Sequence, residues 1–537
     1  MSERSKELVI DCLNPTVKSD SAVLLLHGWG ASSCVWSECS ELLAETFALY
    51  SVDLPGHGKH ANLIAMTISE FIEQLASNMP VNKFSIIGWS LGGLVGSLLA
   101  AKCSDRVTAL VTIATNQNFL TRTAWPSALT PTVFESFYAA LSASTMTRQV
   151  TRFQALQAQG VDSAKQDCRR LKSSVSDADF SLEGLQLGLI ALRDNDLYDC
   201  WQALSMPVMH QFGRYDVLIP VSACRAIAQI HPHHSYRIFR QSAHLPFLTE
   251  ATQWQLDTEQ FLRSALKPQV IDKKAIADSF SKAANHYDAV AQFQRQTGAE
   301  LLQLMPDKSI DRLADLGSGT GFFSAALRDI YPLADIIEVD ISRQMLVYAR
   351  QHRFSVSPEK KLLINSDQIQ SDIEHLPFQA VSLDMIFSNL AIQWCANLDG
   401  LFAQLASSLV GGGQAFLSTL IEGSLFELKF AWSMADAGVH VNRFSSLDAL
   451  KASCERAGLT INICYVADKV QYFNDLPSLL RSVKKIGAHN MNPLRSKGLL
   501  GKQKYQQFVD AYQGFKTNQQ QFPLTYRVAF LAVEKPA

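Results

Sequence analysis

The sequence has no C-x-x-C cysteine spacing, no large excess of charge of either sign and no long unbroken apolar segment. Its ten cysteines are scattered, and none forms the C-x-x-C pair that is typical of zinc and redox sites. We therefore expect buried thiols in a reducing compartment and no bound metal. The formal net charge of −2 at pH 7 provides no overall field that would attract nucleic acid or an anionic membrane.

We expect neither a signal for export nor a membrane-spanning segment. The first residues, MSERSKELVIDCLNP, contain no apolar segment followed by small residues, so a secretory signal is not expected. The longest apolar stretch, residues 86–101, is broken by glycines and a serine, and it predicts a strand, a tight turn and a buried helix. We expect a cytoplasmic protein with no membrane partner.

Length and composition predict two globular α/β domains. A chain of 537 residues is too long for one core, and 47% hydrophobic with 18% charged residues is typical of folded proteins. Between residues 20 and 250, strand patterns alternate with helical stretches, which indicates a mostly parallel sheet covered by helices. These patterns are AVLLLHG, ALYSVDLPG, FSIIGWS, ALVTIAT, PVMHQFG and YRIFRQSAH. Residues 120–195 interrupt them with helix-period segments, which predict a helical cap over the sheet.

A second alternation of strands and helices begins near residue 311. Its strand patterns are RLADLGSG, ADIIEVDIS, KLLINSD, LDMIFSNLAI and GQAFLSTL, and a helical segment at 272–305 precedes them. The irregular, lysine-flanked stretch SALKPQVIDKK lies between the two alternations. We therefore predict one domain at residues 1–265, a linker at 266–274 and a second domain at 275–537.

The segment GWSLG at residues 88–92 fits the G-x-S-x-G pattern of a serine nucleophile. It follows the strand pattern FSII and precedes an apolar helix, so Ser90 is expected on a sharp strand-to-helix turn. An acid and a histidine follow in the expected order, with Asp216 and His244 each at the carboxyl end of a strand. His244 would take the Ser90 proton and Asp216 would orient the imidazole. The backbone N–H groups of Trp29 and Leu91 would stabilise the oxyanion.

These residues, with LLLHGWG, VDLPGHG, RFQALQ, YDVLIP and SAHLPF, closely resemble the pimeloyl-acyl-carrier-protein methyl ester esterases of biotin synthesis. The resemblance covers most of the first domain and implies the α/β-hydrolase fold, with no cofactor in this half. It also implies a substrate pocket formed by Trp29, Ser90, Leu91, Phe153 to Gln157 and His244.

Basic residues in the predicted cap repeat at helical spacing. Arg148 and Arg152 can share one face, as can Lys165, Arg169 and Lys172. The residues alone favour a solvated surface. With the resemblance, the expectation becomes a surface that binds an acidic acyl carrier protein.

The segment DLGSGTG at residues 315–321 follows a strand and begins a helix, as nucleotide-binding loops do. Asp315 would repel a pyrophosphate but attract the cationic amino-acid end of S-adenosylmethionine. Asp340 ends the next strand, where a carboxylate can accept from both ribose hydroxyls, and Asp372 follows a third strand, where it can accept from the adenine amino group. The expected cofactor-binding residues are Asp315, Gly317, Gly319, Gly321, Asp340 and Asp372.

This second domain resembles the class I methyltransferases, and more closely the malonyl-acyl-carrier-protein O-methyltransferases of biotin synthesis. The resemblance rests on IADSFSKAANHYD, DLGSGTGFFS, SNLAIQWCANL, GSLFELKFAW, VNRF and FPLTYRV, and it implies S-adenosylmethionine as the methyl donor. A malonyl carboxylate is already ionised at neutral pH, so no general base is required. Tyr287 and Arg443 are candidates for closing the site or pairing the carboxylate.

The two resemblances together predict an enzyme of biotin synthesis with two activities. One half would methylate the free carboxylate of malonyl-acyl-carrier protein, and the other would later hydrolyse the pimeloyl methyl ester. Two alternatives stay open. One is a general short-chain carboxylesterase fused to a methyltransferase of another small acid, and the other is a chain in which one half only binds carrier protein.

Overall fold

The structure is a computed structural model that describes residues 8–15, 21–37, 40–63, 66–176, 179–266, 271–352, 366–435, 440–485 and 501–537. The chain divides into two compact units, residues 1–267 and 268–537. Of the linker predicted at 266–274, residues 267–270 lie outside the described residues. None of the helices in the described ranges is both long and apolar enough to cross a membrane.

The first unit is built on a seven-stranded sheet in the order β1-β3-β2-β4-β5-β6-β7. The strands are β1 Asp11–Cys12, β2 Ala22–Leu26, β3 Ala48–Val52, β4 Phe84–Trp89, β5 Val107–Ile113, β6 Val208–Gly213 and β7 Ser235–Phe239. All pairs are parallel except β1 with β3. Strands β2 and β4 are buried along their whole length, as expected for central parallel strands covered on both faces.

Helices cover both faces of this sheet and fill the insertion between β5 and β6. They are α1 Glu41–Thr46, α2 Ile68–Asn78, α3 Leu91–Lys102, α4 Pro131–Ala139, α5 Met146–Gln157, α6 Ala164–Ser173, α7 Leu182–Asp194, α8 Tyr198–Ala203, α9 Val221–Ile230, α10 Pro246–Thr249 and α11 Ala251–Leu266. Helices α4 to α7 lie in the segment for which the sequence predicts a cap. The α/β architecture of this unit is the predicted one.

The second unit contains another seven-stranded sheet, in the order β10-β9-β8-β11-β12-β14-β13. The strands are β8 Arg312–Leu316, β9 Asp335–Asp340, β10 Ser366–Gln370, β11 Leu383–Asn389, β12 Leu409–Leu420, β13 Thr460–Phe473 and β14 Phe522–Glu534. Strand β14 is antiparallel to both β12 and β13, and the other pairs are parallel. Most of the predicted strand KLLINSD lies outside the described residues, since these resume at 366.

The helices of the second unit are α12 Lys273–Val290, α13 Gln292–Leu302, α14 Phe322–Ile330, α15 Arg343–His352, α16 Leu398–Ser408, α17 Phe426–Ser433, α18 Leu447–Arg456, α19 Leu476–Lys485 and α20 Lys502–Gln513. Strands β9 and β10 lie on one side of β8 and strands β11 to β14 on the other, so the strand order changes direction between the parallel neighbours β8 and β11. Ligands of open α/β sheets bind at the carboxyl ends of the strands at this point. The glycine loop after β8 therefore lies where a cofactor is expected.

Candidate active sites

Ser90 lies on a strained turn between β4 and α3. Its backbone has φ 54° and ψ −113°, a region that non-glycine residues rarely occupy. The flanking glycines make this turn possible, because a Cβ on Gly88 would lie 2.3 Å from the Gly92 carbonyl oxygen. A Cβ on Gly92 would lie 2.3 Å from the Leu26 carbonyl oxygen. The G-x-S-x-G spacing is thus required by close backbone packing around the serine.

Asp216 and His244 form a buried pair at the carboxyl edge of the same sheet. His244 Nδ1 lies 2.7 Å from Asp216 Oδ2. Asp216 Oδ1 accepts hydrogen bonds of 2.9 Å from the backbone N–H groups of Leu218 and Ile219, which fix the carboxylate. His244 Nε2 has no hydrogen-bond partner within the described chain. A neutral imidazole with its proton on Nδ1 leaves Nε2 able to accept a proton.

The predicted oxyanion and pocket residues surround this pair. The Trp29 ring packs edge-on against Phe153 at 4.9 Å between centroids, and its indole N–H donates to the Leu185 carbonyl oxygen. The Gln157 carbonyl oxygen accepts from the backbone N–H of His244 at 3.0 Å. The backbone N–H groups of Trp29 and Leu91 form no hydrogen bond with the described residues. Two backbone donors with no competing acceptor are what an oxyanion needs.

A cleft of about 270 Å³ adjoins Ser90 and was not anticipated from the sequence. It is lined by Ser90, Leu94, Ala114, Thr115, Asn116, Gln117, Phe119, Leu192, Asn195 and Ile219. Gln117 is buried, and its Oε1 has no hydrogen-bond partner in the described chain. Asn116 and Gln117 follow β5 and belong to no sequence motif. Their position after a strand, at the carboxyl edge of the sheet, is the feature that could have indicated them as site residues.

The predicted basic residues of the cap are all exposed. Arg148 and Arg152 lie on α5, and Lys165, Arg169 and Lys172 lie on the adjoining helix α6. None of the five forms an ion pair with the described residues. Helices α5 and α6 pack against each other, so the five basic side chains lie on two neighbouring helices.

The glycine loop of the second unit bends back over its strand. Gly317, Gly319 and Gly321 all have positive φ, of 74°, 55° and 76°. Asp315 is buried and accepts a hydrogen bond of 2.6 Å from the Ser324 hydroxyl in the first turn of α14. This bond joins the end of the strand to the start of the helix across the loop.

Asp340 and Asp372 follow the neighbouring strands. Asp340 Oδ2 accepts from the Gly319 backbone N–H at 2.9 Å, and Oδ1 accepts from that of Ser342 at 2.7 Å. Burial raises the Asp340 pKa to about 6, although both hydrogen bonds oppose this rise. Asp372 Oδ1 accepts from Lys273 Nζ at 2.9 Å.

A cavity of about 640 Å³ brings four of the six predicted cofactor residues together, namely Gly317, Gly319, Asp340 and Asp372. Asp315 and Gly321 are not among its lining residues. The cavity is also lined by residues that were not predicted from the sequence, among them Lys273, Ile276, Phe280, Met345, Asn389 and Trp394. Its apolar walls and separated carboxylates suit a ligand with an aromatic base, ribose hydroxyls and a positive charge, so S-adenosylmethionine fits the residues present.

A second cavity of about 520 Å³ shares the residues Phe280, Tyr287, Leu390 and Trp394 with the first. Its remaining lining residues are Phe293, Gln294, Gln393, Leu420, Leu425, Asn442, Phe444, Val483 and Tyr526. Tyr287, a candidate from the sequence, therefore lines both cavities. Arg443, the other candidate, lines neither, although Asn442 and Phe444 on either side of it line the second.

Comparison with known proteins identifies both units. The family described as alpha/beta hydrolase fold matches residues 21–251, and the family described as methyltransferase domain matches residues 314–417. The biotin biosynthesis bifunctional protein BioHC of Cellvibrio japonicus is 34% identical over 515 residues, which cover 96% of this chain and 99% of that protein. The chain belongs to this family of bifunctional biotin-biosynthesis proteins. It is an enzyme with a hydrolase unit and a methyltransferase unit.

Single-activity relatives match each half of this BioHC-family chain. The pimeloyl-[acyl-carrier protein] methyl ester esterase of Vibrio vulnificus is 39% identical over 229 residues, covering 42% of this chain and 89% of the relative. The malonyl-[acyl-carrier protein] O-methyltransferase of Hahella chejuensis is 34% identical over 266 residues, covering 49% of this chain and 91% of the relative. The sequence-based prediction of the family and of both fold classes is therefore confirmed.

Proposed function

We propose that this chain adds and later removes a methyl ester on acyl groups carried by acyl carrier protein. The methyltransferase unit converts the free carboxylate of malonyl-acyl-carrier protein to its methyl ester. The hydrolase unit cleaves pimeloyl-acyl-carrier protein methyl ester to the free acid and methanol. The observation that carries the proposal is that one continuous match covers 96% of the chain and 99% of a bifunctional relative.

In the hydrolase unit, Ser90 Oγ attacks the ester carbonyl as His244 Nε2 takes its proton. The 2.7 Å contact with Asp216 holds the imidazole in the tautomer that this step requires and stabilises the imidazolium that forms. The N–H groups of Trp29 and Leu91 stabilise the oxyanion, and His244 returns the proton to the departing methoxide. Water then attacks the acyl-serine with His244 again as the base, which regenerates Ser90 and releases the acid.

In the methyltransferase unit, S-adenosylmethionine supplies an electrophilic methyl group when it is bound. Gly317 and Gly319 would allow the loop to approach it closely, Asp340 would accept hydrogen bonds from its ribose, and Asp372 would accept one from its adenine. The substrate oxygen is already anionic, so the protein has to position it and exclude water. Such positioning contributes roughly 7–11 kcal/mol in favourable cases.

Masking explains why both activities serve one pathway. Burying an unpaired carboxylate costs several kcal/mol even after relaxation. A malonyl group with a neutral ester can therefore enter the apolar sites that elongate acyl chains, which the free acid cannot. Once the chain has reached the pimeloyl length, hydrolysis restores the carboxylate and stops elongation.

Acyl carrier protein is the proposed partner of both units. Carrier proteins are acidic, and the exposed basic residues of α5 and α6 offer complementary charge next to the hydrolase site. Helix α5 also contributes Phe153 to the wall around Trp29. The same helix thus connects the proposed docking surface to the pocket.

Single substitutions in the intact chain test this assignment. Ser90→Ala is expected to lower ester hydrolysis at least about a thousandfold while methyl transfer stays at the wild-type rate. Asp340→Ala is expected to do the reverse, because it removes a cofactor contact. Hydrolysis of pimeloyl-carrier methyl ester and methylation of malonyl-carrier protein are measured on each variant. A variant that keeps the activity of its own unit would contradict the assignment.

A further inference from the structure

The second cavity of the methyltransferase unit, the acceptor cavity, shares a wall with the cofactor cavity. We propose that it binds the substrate carboxylate through neutral hydrogen-bond donors, chiefly the Tyr287 hydroxyl, and that the balancing positive charge comes from the cofactor and not from the described residues that line the cavity. This inference rests on the proposed methyl transfer to a carboxylate. It adds the chemical basis on which that carboxylate is recognised.

The acceptor cavity adjoins the cofactor cavity directly. The two cavities share four lining residues, namely Phe280, Tyr287, Leu390 and Trp394. Phe280 packs edge-on against Trp394 at 5.7 Å and against Tyr287 at 6.4 Å. The Tyr287 hydroxyl and the Trp394 indole N–H are the polar groups on this shared aromatic wall.

No charged side chain occurs among the described residues that line the acceptor cavity. Its side chains with polar groups are Tyr287, Gln294, Gln393, Trp394, Asn442 and Tyr526. Gln393 is already engaged, because Nε2 donates to the Leu390 carbonyl oxygen and Oε1 accepts from Thr419. Gln294 Oε1 is buried without a partner in the described chain, which indicates an amide placed for a polar ligand. Rotation of that amide exchanges its oxygen and nitrogen, so it can also donate.

Arg443 belongs to a different group of charges. Burial raises the pKa of Glu422 to about 7, and the charges of Lys429, Arg443 and Arg527 oppose that rise. Burial also lowers the Arg443 pKa, which the Glu422 charge opposes. The Glu422 carboxyl group is therefore one of the charges that act on Arg443.

The chemistry of methylation favours neutral recognition. A guanidinium would bind both carboxylate oxygens, although one of them must be free to accept the methyl group. After transfer the substrate is an uncharged ester, and an arginine in the cavity would be left buried without its counterion, at a cost of several kcal/mol. Neutral donors can bind the ionised acid and still release the ester. In dry surroundings, the carboxylate and a cationic cofactor attract each other strongly.

The charge of the cofactor therefore controls substrate affinity, and this can be measured without any reaction. Full-length Ser90→Ala protein is saturated either with sinefungin, which carries a protonated amine in place of the methyl sulfonium, or with uncharged S-adenosylhomocysteine. Malonyl-carrier protein is then titrated calorimetrically into each complex. We expect binding roughly tenfold tighter or more with sinefungin. Equal affinities in the two complexes would overturn the inference.

Two substitutions separate the proposed donor from the arginine. Tyr287→Phe is expected to weaken malonyl-carrier binding to the sinefungin complex about tenfold, while S-adenosylhomocysteine binding stays within about threefold. Arg443→Met is expected to leave both affinities within about threefold. If it fails to bind S-adenosylhomocysteine, Arg443→Lys replaces it in the same titration. Loss of carrier binding in the arginine variant with retention in Tyr287→Phe would contradict the inference.

These results are distinguishable from failure of the proposed function. If wild-type protein transfers no methyl group to malonyl-carrier protein, the function is wrong. If it transfers methyl groups but binds malonyl-carrier protein equally well in the sinefungin and S-adenosylhomocysteine complexes, the function stands and neutral recognition is wrong.

Discussion

Asp340 is the residue through which pH acts most directly on the methyltransferase unit. Burial raises its pKa to about 6, despite two backbone hydrogen bonds to its oxygens. In the proposed complex, ribose hydroxyl groups would donate to the ionised carboxylate, so cofactor binding would favour loss of the Asp340 proton. Below about pH 6, part of the binding energy is therefore used to remove that proton.

We predict that S-adenosylhomocysteine binds more weakly as pH falls from 7.5 to 5. The dissociation constant should be nearly constant above pH 7 and rise toward tenfold per pH unit well below pH 6, as expected for loss of one proton on binding. Calorimetric titration over this range measures it.

Asp340→Asn is the matched control, because it keeps the shape of the side chain without the ionisable group. Its binding should be weaker than that of the wild type at pH 7.5 and independent of pH down to 5. A wild-type affinity that does not change between pH 7 and 5 would refute the role given to Asp340.

The site residues that could be predicted best from the sequence are those that belong to a motif of fixed local spacing. Gly88, Ser90 and Gly92 could be predicted because the turn tolerates no Cβ at the two glycines. Lys273 and Trp394 could not, because they reach the cofactor cavity from segments far from the glycine loop. The role predicted for Asp315 toward the cofactor stays a prediction, and the structure adds that its carboxylate joins β8 to α14 through Ser324.

At the level of elements, helices α5 and α6 combine a pocket wall with an exposed basic surface. Phe153 of α5 packs on Trp29. The exposed basic residues are Arg148 and Arg152 of α5 and Lys165 and Arg169 of α6. Exposed charges contribute little to the stability of the fold. Their effect is expected in the association with an acidic partner.

Reversing two of these charges should separate carrier binding from ester chemistry. For Arg148→Glu with Arg152→Glu, we predict at least a tenfold rise in KM for carrier-bound methyl ester and little change in kcat. Hydrolysis of a small soluble methyl ester should be unaffected, since it does not use the surface. Raising the salt concentration should reduce the difference between variant and wild type. Equal losses on both substrates would argue against a docking surface.

The antiparallel strands at one end of the second sheet are elements that local sequence patterns did not predict. Parallel strands were predicted from short, continuous apolar runs, which β8, β9, β11 and β12 contain. Strand β13, by contrast, is partly exposed over most of its 14 residues and mixes polar with apolar side chains. It is held by its long pairing with β14, which is a tertiary contact and leaves no local apolar signal.

At the scale of the whole molecule, buried histidines make the hydrolase unit sensitive to acid. Burial lowers the pKa of His57 to about 3 and that of His231 to about 4, and lowers the His210 pKa as well. In the unfolded chain these groups titrate near 6.5. Between about pH 6.5 and 4 the unfolded state therefore binds more protons than the folded state.

We predict that this unit is fully stabilised above pH 6.5 and loses stability as pH falls toward 4. Each unit of pKa depression is worth about 1.4 kcal/mol per histidine at the low end of this range. Tryptophan fluorescence during urea unfolding reports mainly on this unit, which holds six of the eight tryptophans. His57→Gln should reduce the dependence on pH. Unfolding free energies that are equal at pH 7.5 and 5 would contradict the prediction.

The presence and the order of the two units could be predicted from the sequence, because each unit has its own motif and its own alternation of strands and helices. The family followed from segments along both halves, and the comparison with a bifunctional relative confirmed it. The acceptor cavity was not predicted, because its wall combines side chains from α12, α13, α19 and β14 that only the fold brings together.

The most direct test of the central claim follows one methyl group through both activities. Ser90→Ala protein is given S-adenosylmethionine with a radiolabelled methyl group and malonyl-carrier protein, and the carrier is analysed for base-labile label. The account predicts stoichiometric labelling as a methyl ester. It also predicts that wild-type protein releases labelled methanol from pimeloyl-carrier methyl ester. Absence of base-labile label on the malonyl carrier, with the serine disabled, would contradict it.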